Sequence, residues 1–317
     1  MAEPRVNDIR GLDLAVRDLA ASVDFYGRLW GLEETSRNGD TVFLRATGSE
    51  HHVLALHEGP KVEILGARYA APDKAAVDAL HAKAIAAGAD VIDAPHAMPA
   101  VAGGGYGFSV RTPDGIRQTI SSDVERHATT IDDRRRPRKF SHVVFRSADY
   151  PQLEAFLRDI LGFKLSDRTD RIDFFRCSRD HHSVALGKLA GSGLHHMAFE
   201  LPDLDGLMGA SGRMKMSGHP IEWGVGRHAG PGNNIYSFFI DPNGIATEYT
   251  TDMDQVDDAT YPHRSAADWR NMPIQPCAWG MGMGMERSER LWRANTGKTV
   301  EELNRSCTEA ISQKLAS

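Results

Sequence analysis

A chain of 317 residues, 41% hydrophobic and 25% charged, is long enough for two globular domains with real cores. A net charge of −6 gives no support to nucleic-acid or anionic-membrane binding, and no apolar run is long enough to cross a bilayer. Three widely spaced cysteines and an N-terminus without a signal-peptide core argue against a disulfide scaffold or a zinc site, and for a cytoplasmic protein with reduced thiols.

In chain order, "LDLAVRDLAASVDFYGRLWGL" (12–32) reads as a strand, an Asp-containing turn and an amphipathic helix carrying Leu19, Val23, Tyr26 and Trp30. "SEHHVLALHEG" (49–59) is a further strand. "DKAAVDALHAKAIAAG" predicts a second helix with Val77, Leu80, Ala84 and Ile85 on one buried stripe, and "RTPDGIRQTISSD" (111–123) a turn and closing strand. The charged segment 126–137 reads as a solvated linker. The series then recurs as "HVVFRSADYPQLEAFLRDILGF" (142–163), "RDHHSVALGKL" (179–189) and "IDPNGIATEYTTD" (240–252), at an offset near 130 residues. The chain is therefore expected to hold two tandem domains, 1–125 and 138–252, with an extension over 253–317. Each half is itself double, giving four βαβββ units. The fold class is α+β, with each pair of units curling its strands into a cup-shaped, partly open barrel sheet and the helices outside. In the extension, "NMPIQPCAWGMGMGMERS" reads as irregular and "VEELNRSCTEAISQKL" as helical.

Strand phase picks out three side chains in the second half. Val143 and Phe145 follow His142 by one and three residues, as Met197 and Phe199 follow His196. Alternation puts those apolar groups on the helix-packed face and both histidines on the opposite face, inside the cup. His195 is out of phase and is expected on the packed side with Met197 and Phe199. Glu248 shares its strand face with Ala246 and Thr250, a lone carboxylate on a short buried strand. The matching places in the first half are Gly11 and Thr119, for His142 and Glu248. One such residue alone is more often an ordinary strand side chain. Three at matched positions, lost together in the sister half, point to a metal. Two histidines and one carboxylate with open positions opposite suit a non-haem Fe(II) that binds O2 and substrate, and the same donors suit Mn(II).

The second half, and more weakly all of 1–252, resembles the type I extradiol ring-cleaving dioxygenases of the vicinal oxygen chelate superfamily. "GVGRHAGPGNNIYSFFIDPNGIATEY" is similar to the family's C-terminal signature, and "LHHMAF" and "HVVF" to its ligand strands. The resemblance implies a metal-free first domain and a second domain that holds Fe(II) through His142, His196 and Glu248. It implies O2-dependent meta-cleavage of a catechol-type diol, in bacterial-type aromatic catabolism, by a homo-oligomer. His182 matches the family's acid–base histidine, its neighbour His181 pointing away. His228, beside Gly224, Gly226, Gly230 and Gly232 on a stretch able to close over a substrate, matches a second family histidine. The family's tyrosine falls on Phe238, leaving Tyr236, two residues earlier on the same face, as its substitute. Asn233 and Asn234 offer polar contacts, Val144, Arg146 and Phe238 bear on specificity, and His81, His96, His127 and His263 read as surface residues. Two rivals share the fold. A glyoxalase-type isomerase or transferase draws its ligands from two modules, which the Gly11 and Thr119 vacancy opposes. A non-catalytic binding module has no use for three ordered donors plus His182.

Overall fold

The computed structural model of the chain describes residues 3–188, 191–272, 277–281 and 288–296. The helix expected within 300–315 and most of the Gly/Met-rich run lie outside these residues. Four βαβββ units follow one another. The first is β1 (Asp8–Val16), α1 (Leu19–Asp24), β2 (Glu33–Asn38), β3 (Thr41–Arg45) and β4 (Leu54–Glu58). The second is β5 (Glu63–Ala70), α2 (Lys74–Ala86), β6 (His96–Ala97), β7 (Tyr106–Arg111) and β8 (Arg117–Ser122). The third is β9 (Lys139–Arg146), α3 (Tyr150–Ala155), β10 (Lys164–Arg168), β11 (Ile172–Arg176) and β12 (Val184–Gly187). The fourth is β13 (Gly193–Glu200), α4 (Leu204–Met216), β14 (Trp223–Arg227), β15 (Ile235–Ile240) and β16 (Ala246–Thr251).

The units pair into two open eight-stranded sheets, in the orders β2-β3-β4-β1-β5-β8-β7-β6 and β10-β11-β12-β9-β13-β16-β15-β14. The two orders are the same pattern shifted by eight strands, so matched residues of the halves occupy matched places. Local sequence explains the helices. Asp18, Asp73 and Asp203 cap α1, α2 and α4 by accepting from backbone N–H groups three residues on. On α2, Val77, Leu80 and Ala84 are buried as expected, but Ile85 lies at the rim of that stripe and is 56% exposed.

The two halves interlock through one hydrophobic core. Trp30, just beyond α1, stacks on Tyr249 of β16 with centroids 3.7 Å apart and accepts the Tyr249 hydroxyl at its carbonyl (2.8 Å). Tyr26 donates to Asp241 (2.7 Å), and in the reverse direction Phe163 packs on Tyr69 of β5. The helix of each half thus covers the convex face of the other half's sheet. The segment between the sheets is docked rather than solvated. Arg136 donates to the Gly31 carbonyl (2.8 Å) while Arg134 and Arg138 pair with Asp203 and Glu200, because its guanidinium groups meet acceptors on both halves.

The described part of the extension packs mainly on the second half, with one ion pair from Asp258 to Arg5 of the first. Its first part runs along the sheet through backbone bonds from the Asp254 N–H to the Gly232 carbonyl and from the His181 and Arg168 N–H groups to the Asp254 and Arg264 carbonyls, and continues into α5 (Ala266–Arg270). A last helix, α6 (Glu289–Thr296), packs a fully buried Leu291 on Tyr236, Phe238 and Ala246 of the concave face.

Candidate metal centre and cavity

Three strands deliver the three donors. His142 on β9, His196 on β13 and Glu248 on β16 place ligand atoms within 4.8 Å of one another, and all three residues are buried. Each imidazole Nε2 lies 3.3 Å from Glu248 Oε2. Their convex-face neighbours Val143, Met197 and Tyr249 are fully buried in the core, as pleating requires.

The surrounding hydrogen bonds fix what these atoms can do. His142 Nδ1 meets Ser141 Oγ (3.1 Å), His196 Nδ1 meets His195 Nδ1 (2.7 Å), and Glu248 Oε1 accepts from Asn234 Nδ2 (3.2 Å). With the ring protons on Nδ1, both Nε2 atoms present lone pairs. They face a Glu248 Oε2 that is buried without a hydrogen-bond donor. Burial opposes the charge on Glu248 and disfavours the charged form of His196. Three converging lone-pair donors with no proton among them form a site that suits a cation.

His195 corrects the strand-phase expectation. The β9–β13 register slips between Leu194 and His196, which makes His195 a bulge residue. The bulge breaks alternation and turns both histidines to the concave side, so His195 lines the cavity beside His196. The first half carries the same bulge at Leu65, so the device belongs to the repeat.

In the first half the matched places are Gly11, Gly66 and Thr119, from the registers Gly11–Arg68 and Arg68–Thr119. A side chain at Gly11 would meet the Val53 carbonyl at 2.0 Å and Arg68 Nη2 at 2.7 Å. Arg68, salt-bridged to Asp13 (2.8 Å), has taken the room of the site.

The cavity over the three donors is about 260 Å³. Ile172, Phe174, Trp223 and Phe238 form apolar walls, with Val144 between them, and no Lys or Arg among the described residues lines it. Arg146, next on the face of Val144, is half-buried outside the lining. His182, His195, His228 and Asn234 are the other polar side chains of the wall. The His182 ring sits 4.4 Å from that of His142, and burial followed by its neighbouring histidines holds it well below the ordinary value. Burial pushes His228 down to about 4. Both rings are neutral near pH 7. The loop after His228 is shaped by Gly232 (φ +80°), where a Cβ would strike His182 Cε1 at 2.9 Å. Gly224 and Gly226 lie in β14 rather than in a loop, and Gly226 leaves room for the Tyr236 hydroxyl and the Cys277 thiol.

Tyr236 is the second correction. It does not line the cavity; its ring stacks behind His228 (4.2 Å, 27°) and its hydroxyl bonds Cys277. Phe238 occupies the wall instead. Asn234 reaches Glu248, whereas Asn233 turns outward to Asp254. Sequence reading passed over Asp167, which His181 reaches with Nε2 (3.0 Å). Nothing in the local pattern marked it, since β10 also carries Lys164 and Arg168 and its ends are not buried.

This constellation on a repeated βαβββ frame defines a class. A family model of the Glyoxalase/Bleomycin resistance protein/Dioxygenase superfamily matches residues 7–119 and 139–249, and the chain belongs to that superfamily. Within it, the chain is 35% identical over 123 residues to metapyrocatechase 2 of Cupriavidus necator, spanning 38% of that protein's length. It is 27% identical over 255 residues to the manganese-dependent 2,3-dihydroxybiphenyl 1,2-dioxygenase of Geobacillus genomosp. 3, covering 72% of this chain and 79% of that one. Among solved structures, the Mn(II)-bound glyoxalase from Novosphingobium aromaticivorans is 36% identical with a TM-score of 0.82, covering 90% of this chain and 94% of that one. The fold is shared with homoprotocatechuate 2,3-dioxygenase from Arthrobacter globiformis (23% identical, TM-score 0.75, 89% of this chain and 96% of that one).

Proposed function

We propose that this chain is an extradiol dioxygenase that opens a catechol-type ring with O2, incorporating both oxygen atoms. In this reading the second domain (138–252) is catalytic, the first (1–125) is its retired copy, 126–137 joins them, and 253–317 is the extension. The observation that carries it is the buried His142–His196–Glu248 triplet under an apolar, ring-sized cavity with neutral His182 and His228 at its wall.

The three residues hold Fe(II), and Mn(II) suits the same donors. When bound, the ion would supply Lewis-acid activation of the diol and redox chemistry towards O2. The chain's own residues do the rest. Phe174, Trp223 and Phe238 clamp the ring and exclude water. His182, neutral and at the wall, takes a proton from a diol hydroxyl and returns it as the ring opens. His228 donates to a substrate oxygen, steadied from behind by Tyr236. The lining contributed by the described residues has no Lys or Arg, which favours a diol without an anionic substituent. The reading extends to a homo-oligomer in the cytoplasm. Leu204 and Met208, exposed on α4, favour self-association. Sedimentation measures it.

One rival keeps a specific support, the 36% identity to a Mn(II)-bound glyoxalase. A glutathione-derived substrate carries carboxylates, and the cation-free lining disfavours it. Catechols mixed anaerobically with Fe(II)-loaded protein and then exposed to air should give a yellow ring-fission product. Consumption of a methylglyoxal–glutathione adduct with no product from any diol would establish the rival.

A further inference from the structure

His181 and His182 are joined Nδ1 to Nδ1 at 3.1 Å, and the outer nitrogen of His181, Nε2, meets Asp167 Oδ2 at 3.0 Å. Asp167 and His181 are fully buried. The extension surrounds the carboxylate with donors: the Arg264 backbone N–H to Oδ1 (2.9 Å) and the Tyr261 hydroxyl to Oδ2 (2.8 Å). A carboxylate has no proton to give, so His181 Nε2 carries one and donates it. Where that is the single proton on His181, its Nδ1 can only accept, and the proton between the two rings belongs to His182 Nδ1. What His182 leaves for the cavity it lines is an unprotonated Nε2.

The first half supplies an internal control. His51 and His52 keep the same Nδ1–Nδ1 contact at 3.0 Å. In the strand registers, Asp167 opposite Phe174 corresponds to Ser36 opposite Phe43. Ser36 donates to the Val101 carbonyl (2.7 Å), and His51 stacks on His127 instead of meeting a carboxylate. The histidine pair recurs in both halves; the carboxylate occurs only where the three metal donors do.

We propose that Asp167 and His181 are positioning residues that lock His182 in its Nδ1–H tautomer, so that the cavity is presented with a proton acceptor rather than a donor. The catalytic consequence rests on the dioxygenase reading; the tautomer itself does not. Asp167→Asn is the informative change. The amide nitrogen cannot face the Arg264 N–H, because two donors would oppose each other. It therefore faces His181 Nε2 and donates, His181 moves its proton to Nδ1, and His182 turns Nε2–H to the cavity.

The test is 15N NMR of histidine-labelled full-length protein loaded with Zn(II) as a diamagnetic ion. Wild type should show His182 as Nδ1–H, Asp167→Asn as Nε2–H, and Tyr261→Phe, which spares the carboxylate–His181 bond, as Nδ1–H. An Nε2–H form in wild type overturns the proposal whether or not the variant folds, and so does an unchanged tautomer in Asp167→Asn. With Fe(II), the variant should lose about 10²–10⁴-fold in kcat at near-normal KM and metal content, the range for losing a general base. A chain with the tautomer switch but no diol cleavage overturns the dioxygenase reading alone. One that cleaves diols without the switch overturns the relay alone.

Discussion

His195 shows how one unpaired residue redirects a site. Strand phase sends it to the packed face, which would make it dispensable to a metal. The bulge instead lays its Nδ1 against the Nδ1 proton of His196, where it orients the ligand ring and raises its basicity. His195→Ala should therefore weaken metal binding by about 10–100-fold, as loss of an outer-sphere partner does. His196→Ala should lose the metal outright. Competition against a chelator measures both, and wild-type affinity in His195→Ala would refute the orienting role. The triplet itself was legible because His142, His196 and Glu248 keep strict phase with buried apolar neighbours. His195 was not, since a bulge leaves no mark on hydrophobic alternation. Nor was Tyr236, whose hydroxyl follows Cys277, a residue about 40 positions along the chain that no local pattern connects to it.

Elements carry the site's rigidity, and here they do so across the repeat. Trp30 belongs to the first half, yet its indole backs Tyr249, the residue after Glu248. Replacing it with Ala should cost about 3–5 kcal/mol, the usual loss for a fully buried Trp, and should loosen the β16 backbone that aims Glu248. Denaturant unfolding reads the first effect and metal affinity the second; a stability loss with unchanged affinity would separate Trp30 from the site. The strap over residues 253–264 behaves differently because ion pairs fasten it. Hydrogen bonds from Lys164 and Arg176 pull Asp258 down to about 2. A carboxyl depressed on folding stabilises above its unfolded value, near 4, and loses that contribution as the pH falls towards 2. Asp258→Asn should flatten this part of the acid-unfolding curve. The four-unit order of elements was readable from the sequence repeat. Their cross-packing was not, because an amphipathic helix specifies that a face is buried but not by which sheet.

At the scale of the molecule, duplication has freed one copy to serve the other. The first half has surrendered its donors to Gly11, Gly66 and Thr119 and filled their room with Arg68, so it can gain nothing from a metal. It nevertheless supplies Tyr26 and Trp30 to the second half's core and receives Phe163 in return. The linker arginines bind both sides, Arg136 at Gly31 and Arg134 at Asp203. Units that share one core cannot unfold separately without exposing those aromatic rings to water. Thermal unfolding should then be a single transition whose calorimetric and van't Hoff enthalpies agree, and the loaded metal should raise its midpoint for both sheets together. Residues 138–272 expressed alone should be poorly folded and bind metal weakly, although every donor is present. Two resolved transitions, or a fragment with native affinity, would show instead that the first half is dispensable. The shared core makes the opposite expectation the physical one, since a buried tryptophan and tyrosine cannot be left without a partner surface at no cost.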